Sequence, residues 1–197
     1  KRREENLKSL KLFGYSKRDI IYLNDFFTVE DLKLYKSLNK INQFLYKLTK
    51  KHCFKQIITL NFEGGHPDHD ALAMLIYRFN QKEKVKTIFI PAYNYKKTFF
   101  IPFSVFRPLD SQKDIFKVEY FSYFCWFKSL QIAFLYKTER KAFIKLIPFI
   151  IYRFLFSYKI YYSSEIDINS VSRRRSFTSK RYKVEYGKIF KAIEGIQ

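Results

Sequence analysis

Apolar residues recur in the first half of the chain with two spacings, one typical of helices and one typical of strands. Gln56–Leu60 and Lys86–Ile90 are short apolar runs rich in β-branched residues, and they indicate two buried strands. Between them, the apolar positions of Ala71–Phe79 recur at helical spacing and predict a connecting helix. Strands that alternate with helices are typical of a parallel sheet that carries helices on its faces.

The chain before these strands predicts two helices and one further strand. A helical pattern ends at Gly14, and glycine is a typical helix stop. Asp19–Leu23 is short and apolar, which favours a third buried strand. Thr28 and Asp31 have the spacing of a capping pair and precede a long amphipathic helix. The apolar positions of that helix are spaced by three and four residues: Leu34, Leu38, Ile41, Leu45 and Leu48.

The second half of the chain is aromatic and basic, and its pattern is less regular. Trp126–Tyr136 and Arg181–Ile193 predict helices, and Ser170–Lys180 predicts a loop rich in serine and arginine. Ala142–Tyr162 is apolar but is interrupted by a proline and by several basic residues. Two interpretations of this segment stay open: a pair of helices that covers the core, or an amphipathic segment that lies in a membrane interface.

Composition excludes several classes of protein. The 197 residues include 20% aromatic residues, which is too much bulk for a disordered basic tail. Two distant cysteines exclude a disulfide scaffold, and no charge-free run approaches the roughly 18 residues of a membrane span. The net charge of +20 is typical of proteins that bind nucleic acid or anionic membranes. Lys, Asn, Phe, Tyr and Ile also have AT-rich codons, so genomic bias explains the same composition without selection for binding.

The start of the sequence bears on location. It opens Lys-Arg-Arg-Glu-Glu, inside a helical pattern and without an apolar signal segment. We therefore expect a piece of a longer protein with a cytoplasmic location, and peripheral membrane contact stays open.

One segment, Asn61–Asp70, combines residues typical of a catalytic site. It contains two of the three histidines and two of the five glycines of the chain. It follows a predicted strand and opens a predicted helix, which is where α/β sheets place their ligands. Gly64–Gly65 allows a tight turn, and Pro67 suits the first position of a helix because that position needs no amide hydrogen.

His66 and His69 are one helical turn apart, and we expect both to face the ends of the strands. Two neutral imidazoles near carboxylates are typical of a catalytic zinc site. The alternative is structural, since an isolated histidine is most often a surface or core residue and Asp68 has the position of a helix cap. We assign that ordinary role to His52 and a functional role to the pair.

The motif Glu63–Ala71 closely resembles the second signature of the zinc-dependent de-N-acetylases related to LmbE and PIG-L. Members of this family deacetylate N-acetylglucosaminyl-phosphatidylinositol and N-acetylglucosaminyl-inositol. Arg3–Gly14, Ile21–Asp25 and Tyr136–Glu139 are similar to other family segments, more weakly. The resemblance therefore covers about residues 2–139.

The resemblance implies a fold and its domain limits. The fold would be α/β, a Rossmann-like and mostly parallel sheet with helices on both faces. It would form a single deacetylase domain over residues 1–197, with the Rossmann-like core at 1–95 and the aromatic, basic part at 96–197.

The resemblance also implies a site. His69 would be a zinc ligand, His66 would stabilise the tetrahedral intermediate and protonate the leaving amine, and Asp68 would orient His66. Glu63 would either touch the substrate or hold the turn. The family's first signature, His-Pro-Asp-Asp, supplies two further ligands and a general base, but it does not occur in this sequence. We therefore expect the first strand and helix of the fold to lie upstream of Lys1, and we expect this piece alone to be inactive.

The expected substrate is thus a small or lipid-linked amino sugar, and two other functions compete with this one. A basic nucleic-acid-binding domain would interleave aromatic and basic residues on one sheet face, whereas here the basic residues are scattered. A membrane-surface protein would use Ala142–Tyr162, and it is compatible with a lipid-linked substrate.

Because the basic charge is scattered, we predict that the chain binds nucleic acid weakly and without sequence preference. Affinity should fall steeply between about 50 and 200 mM salt. Fluorescence anisotropy with two unrelated labelled duplexes measures this. Tight binding to one of them in physiological salt would instead favour the nucleic-acid-binding function.

Overall fold

The fold is given by a computed structural model that describes residues 2–95, 103–120, 123–139, 144, 147–148, 151, 159–167 and 186–196. The α-helices are α1 (Arg2–Lys11), α2 (Leu38–His52), α3 (Pro67–Glu83), α4 (Tyr123–Leu135) and α5 (Tyr186–Glu194). The strands are β1 (Gln56–Leu60), β2 (Lys86–Ile90), β3 (Tyr93–Tyr95), β4 (Phe103–Val105), β5 (Lys117–Tyr120) and β6 (Lys159–Tyr162). Short 3₁₀ helices lie at Lys17–Asp19, Leu23–Asp25, Leu34–Ser37, Asp110–Ile115 and Lys137–Glu139.

The chain divides into two compact units. The smaller unit comprises Lys1–Tyr22 and Glu119–Ile160, and the larger comprises Leu23–Val118 and Tyr161–Gln197. The interpretation of the chain as a single domain stays a prediction.

The larger unit is built on a parallel pair of strands. β1 and β2 pair in parallel from Gln56 opposite Lys86 to Leu60 opposite Ile90, and α3 connects them. Both strands have the predicted bounds, and α3 includes the predicted helix Ala71–Phe79. A parallel pair needs a crossover connection, and a helix of 17 residues supplies it. The larger unit is therefore mixed α/β, as expected.

Helix α3 is the centre of the hydrophobic core, because it packs against β1, β2, α2 and α5. Its buried side chains are distributed around most of the circumference of the helix, as expected for a helix covered on more than one side. The buried core comprises Leu34, Leu38, Ile41, Phe62, Ala71, Ala73, Met74, Leu75, Ile76, Phe89, Leu109, Ile166, Tyr186, Ile189, Ile193 and Ile196.

The smaller unit pairs α1 with α4 through polar contacts. The buried Glu5 carboxylate accepts hydrogen bonds from the backbone N–H and the hydroxyl of Thr138. The hydroxyls of Ser9 and Tyr136 lie 3.1 Å apart. These contacts fix the end of α4 against α1.

The prediction of a strand at Asp19–Leu23 is wrong. One 3₁₀ helix ends at Asp19 and another begins at Leu23, and residues 20–22 between them have no regular secondary structure. The first 3₁₀ helix is held by a capping box. The Ser16 hydroxyl accepts from the Arg18 N–H, and the Asp19 carboxylate accepts from the Ser16 N–H at 2.7 Å. Ile21 is half exposed, so the apolar run does not form the buried strand that its composition favours.

The prediction of a helix cap at Thr28 and Asp31 is also wrong. The chain becomes helical only at Leu34, and the α-helix begins at Leu38. Leu32 has a φ of 61°, which interrupts any helix that would start at Thr28.

The helices predicted at Trp126–Tyr136 and Arg181–Ile193 correspond to α4 and α5, although 181–185 lie outside the described residues. The loop predicted at Ser170–Lys180 and most of Ala142–Tyr162 also lie outside them, and β6 ends the latter segment. In the described part of the chain, no helix combines the length and the apolar character that crossing a membrane requires.

Two isoleucines offer a matched test of this core. Ile41 is 1% exposed, whereas Ile58 is 63% exposed. We predict that Ile41→Ala lowers the free energy of unfolding by about 2–5 kcal/mol, because it leaves a cavity. Ile58→Ala should change it by less than about 1 kcal/mol. Urea unfolding followed by circular dichroism measures both, and equal losses would contradict the assigned core.

Candidate active site

The candidate site is the first turn of α3 together with the chain that precedes it. His66 is the N-cap residue, in extended conformation, and its Nδ1 accepts the Asp68 N–H at 3.3 Å. Pro67 takes the first helical position, as predicted. Gly64 has a φ of 68°, which is the left-handed conformation that glycine adopts without strain. The predicted turn is therefore confirmed at Gly64.

Asp68 connects this turn to the loop that precedes α2. One of its carboxylate oxygens accepts the Leu32 N–H at 2.8 Å, and the other accepts the Leu34 N–H at 3.0 Å. A carboxylate at this position also interacts favourably with the N-terminal end of the helix dipole. Asp68 therefore holds the left-handed turn at Leu32 beside α3.

Asp70 is fully buried one turn above the N-cap and connects three segments. Its Oδ1 accepts the backbone N–H groups of Glu63 and Gly64, at 2.8 and 3.1 Å. Its Oδ2 accepts the hydroxyl of Tyr186, which lies on α5. The turn that carries His66 is thereby fixed against α3 and α5.

Buried polar side chains also fix the end of β1. Glu63 is buried, and its carboxylate accepts the Ala92 N–H at 2.9 Å, just beyond β2. This contact favours the turn-holding role of Glu63 over a substrate contact. The Asn61 amide donates to Gln112 at 2.9 Å, and Gln112 in turn donates to the Phe62 carbonyl at 3.2 Å.

The rings of the two histidines lie side by side. The ring centroids of His66 and His69 lie 4.7 Å apart, with the ring planes tilted by 32°. Both side chains are only partly buried and lie beyond the carboxyl end of β1. His52 lies at the end of α2, before β1, and stacks on Phe54 at 5.9 Å, in keeping with its ordinary role.

The surroundings keep both rings neutral at neutral pH. Burial lowers the pKa of His66 below its usual 6.5, although the charges of Asp68 and Asp31 oppose this shift. Burial, followed by the neighbouring His66, lowers the pKa of His69 to about 4. A neutral imidazole offers a nitrogen lone pair, which a metal ion or a proton can take.

Three side chains at this turn could hold a metal ion. Asp31, His66 and Asp68 each offer a ligand atom, and these atoms lie within 4.8 Å of one another. Imidazole nitrogen with carboxylate oxygen suits a borderline ion such as zinc. His69, the expected ligand, is outside this group in the described part of the chain, whereas His66 and Asp68, the expected catalytic pair, are in it.

Sequence reasoning missed three residues of the site. Asp31 was expected to be a helix cap, yet it lies beside His66. Asp70 was part of the motif without a role, although its acidic position in the first turn of a predicted helix was a usable signal. Tyr186 lies 116 residues from Asp70 in the chain, and no local pattern connects them.

Comparison with protein-family models, with curated proteins and with solved structures found no match. The resemblance to the de-N-acetylases thus depends on the motif residues themselves.

The buried carboxyl of Asp70 predicts a pH dependence of stability. Burial raises its pKa from 3.8 to about 6, although hydrogen bonds from Tyr186, Glu63 and Gly64 oppose this. The folded protein then binds this proton more tightly than the unfolded chain. The protonated Asp70 carboxyl therefore stabilises the fold fully below pH 3.8, and this stabilisation is lost as the pH rises to about 6.

Asp70→Asn should remove this dependence, because the amide keeps an oxygen for the two backbone N–H groups and offers an NH₂ to Tyr186. Relative to the wild type, the variant should gain up to about 3 kcal/mol between pH 4 and pH 7. Urea unfolding of both proteins across this range measures the difference. A difference that is constant with pH would contradict the raised pKa.

Proposed function

We propose that this chain carries part of the catalytic centre of a zinc-dependent hydrolase. The enzyme removes the N-acetyl group from an N-acetylglucosamine-type substrate, inositol-linked or lipid-linked, and its sheet is Rossmann-like. One observation carries the proposal: His66 and His69 lie ring to ring beyond the carboxyl end of β1, on the first turn of α3. This is the position and the residue pair that the resemblance to the de-N-acetylases implies.

The donors at the turn fit zinc. His69 would hold the ion through a ring nitrogen, since its low pKa leaves the ring neutral at pH 7. A catalytic zinc site uses three protein ligands and an open position. The resemblance assigns the other two ligands to a His-Pro-Asp-Asp signature that this sequence does not contain. When bound, zinc polarises a carbonyl and lowers the pKa of a coordinated water to about 7.

His66 would supply the proton. In the neutral ring, Nδ1 accepts the Asp68 N–H, so the ring proton is on Nε2, where it can donate to an oxygen with developing negative charge. To protonate a leaving amine and end neutral, His66 must first become an imidazolium. The imidazolium cannot accept the Asp68 N–H, so charging the ring breaks this cap contact.

Asp68 and Asp31 would make that charged state accessible. Both carboxylates raise the pKa of His66 and so oppose the effect of burial. The overall reaction consumes one water: a C–O bond forms at the acetyl carbon, the C–N bond breaks, and acetate and the free amine leave. His66 would give its proton to the amine nitrogen as the C–N bond breaks.

We predict different effects of replacing the two histidines in the full-length protein. His69→Ala should remove zinc and activity together, because it removes a ligand. His66→Ala should keep zinc and lower turnover by about 10²–10³, because it removes a transition-state donor. Mass spectrometry of the metal and the rate of acetate release from an N-acetylglucosaminide measure these effects. His52→Ala is the matched control and should change neither.

Asp31→Asn separates the two possible ligand sets. It should leave the zinc content unchanged if His69 is the ligand. If Asp31→Asn and His66→Ala lose zinc while His69→Ala keeps it, the ligands are those of the Asp31, His66 and Asp68 group and the assigned roles are wrong. If all variants keep full activity, the deacetylase function itself is wrong.

A further inference from the structure

Helix α4 of the smaller unit presents two phenylalanine side chains to solvent on one face. Phe127 and Phe134 are 58% and 75% exposed, and Gln131 between them is also exposed. Spacings of four and three residues place all three on one face of the helix. We call this the Phe127–Phe134 face.

Contacts between α1 and α4 fix this helix. Buried Glu5 and Ser9 of α1 contact Thr138 and Tyr136, just beyond the end of α4. Near the middle of α4, the Lys128 ammonium donates to the carbonyl of Leu12 at 2.9 Å. α4 is therefore held near its middle and at its C-terminal end, while the rings of Phe127 and Phe134 remain exposed.

The same unit exposes further apolar side chains. Ile144 and Ile151 lie seven positions apart in the chain. Both are helical, and they are 56% and 40% exposed. Lys128 also lies over the ring of Phe13, at 5.4 Å from the ring centroid, and this ring is 45% exposed. Exposed aromatic and aliphatic groups in a basic unit are typical of proteins that lie in a membrane interface.

The net positive charge of the smaller unit favours one kind of partner for this face. Lys and Arg outnumber Asp and Glu by 14 to 5 in the sequence of the smaller unit. A second copy would therefore be repelled. The two exposed rings also offer only about 200–300 Å², well below the roughly 800 Å² per partner of a stable protein interface. An anionic lipid surface attracts the positive charge and needs no such area of complementary shape.

We propose that the Phe127–Phe134 face docks on an anionic lipid bilayer. The two rings enter the boundary between headgroups and acyl chains, and lysines and arginines of the smaller unit pair with lipid phosphates. This inference uses no residue of the candidate active site and does not rest on the proposed deacetylase function.

Vesicle binding by the whole chain tests the proposal. We expect co-sedimentation with vesicles of phosphatidylcholine and phosphatidylglycerol, and much weaker binding to phosphatidylcholine alone. Phe127→Ser and Phe134→Ser should each lower the partition coefficient by about tenfold, and the double variant should lower it further. Phe54→Ser is the matched control, since Phe54 is 40% exposed but lies in the larger unit, and it should bind as the wild type does.

Fluorescence gives a second measurement. In a Phe134→Trp variant, tryptophan emission should shift further to the blue on binding than in the wild type, and it should be quenched by brominated lipid. Circular dichroism verifies that each variant is folded. We expect this result because exposed positions tolerate substitution.

Three results would overturn the proposal. The first is vesicle binding that neither phenylalanine variant changes. The second is binding of a single-stranded oligonucleotide that depends on Phe127 and Phe134, without binding to vesicles. The third is a dimer in sedimentation analysis that the double variant dissociates.

Discussion

The candidate site depends on two carboxylates in the first turn of α3, which together accept four backbone N–H groups from outside the helix. Asp68 holds the amides of Leu32 and Leu34, and Asp70 holds those of Glu63 and Gly64. These amides belong to the loop before α2 and to the turn after β1. One helical turn therefore fixes both segments that surround the histidine pair.

This arrangement also sets the electrostatics of the site. Burial of a carboxylate is costly unless donors surround it, and Asp70 has three, including the hydroxyl of Tyr186. The N-terminal end of a helix disfavours a nearby cation, and burial acts in the same direction, so both histidines are neutral. Only His66 has carboxylates that oppose the shift. The pair is thus suited to two roles, with His69 as a permanent lone-pair donor and His66 as a group that can take up a proton.

Local sequence patterns were sufficient for the elements that carry the site. The strands β1 and β2 and the helix α3 each have a strong pattern of apolar residues. Gly64 adopts the positive φ of a tight turn, and Pro67 takes the first position of a helix. One failure has a local cause, and the others are tertiary. The Asp19–Leu23 run has strand composition but a capping box folds it otherwise, and Asp31 is placed by the bonds of Asp68 to the loop rather than by a helix of its own. No local pattern could indicate a contact such as that of Tyr186, which is distant in the chain.

Amide hydrogen exchange is the most direct test of the claim that two carboxylates hold the site. In the wild type, the N–H groups of Leu32, Leu34, Glu63 and Gly64 should exchange slowly for loop residues. Asp68→Ala should accelerate exchange at Leu32 and Leu34 alone. Asp70→Ala should accelerate exchange at Glu63 and Gly64 alone. Four amides that exchange in the wild type as fast as in an unfolded chain would contradict the account.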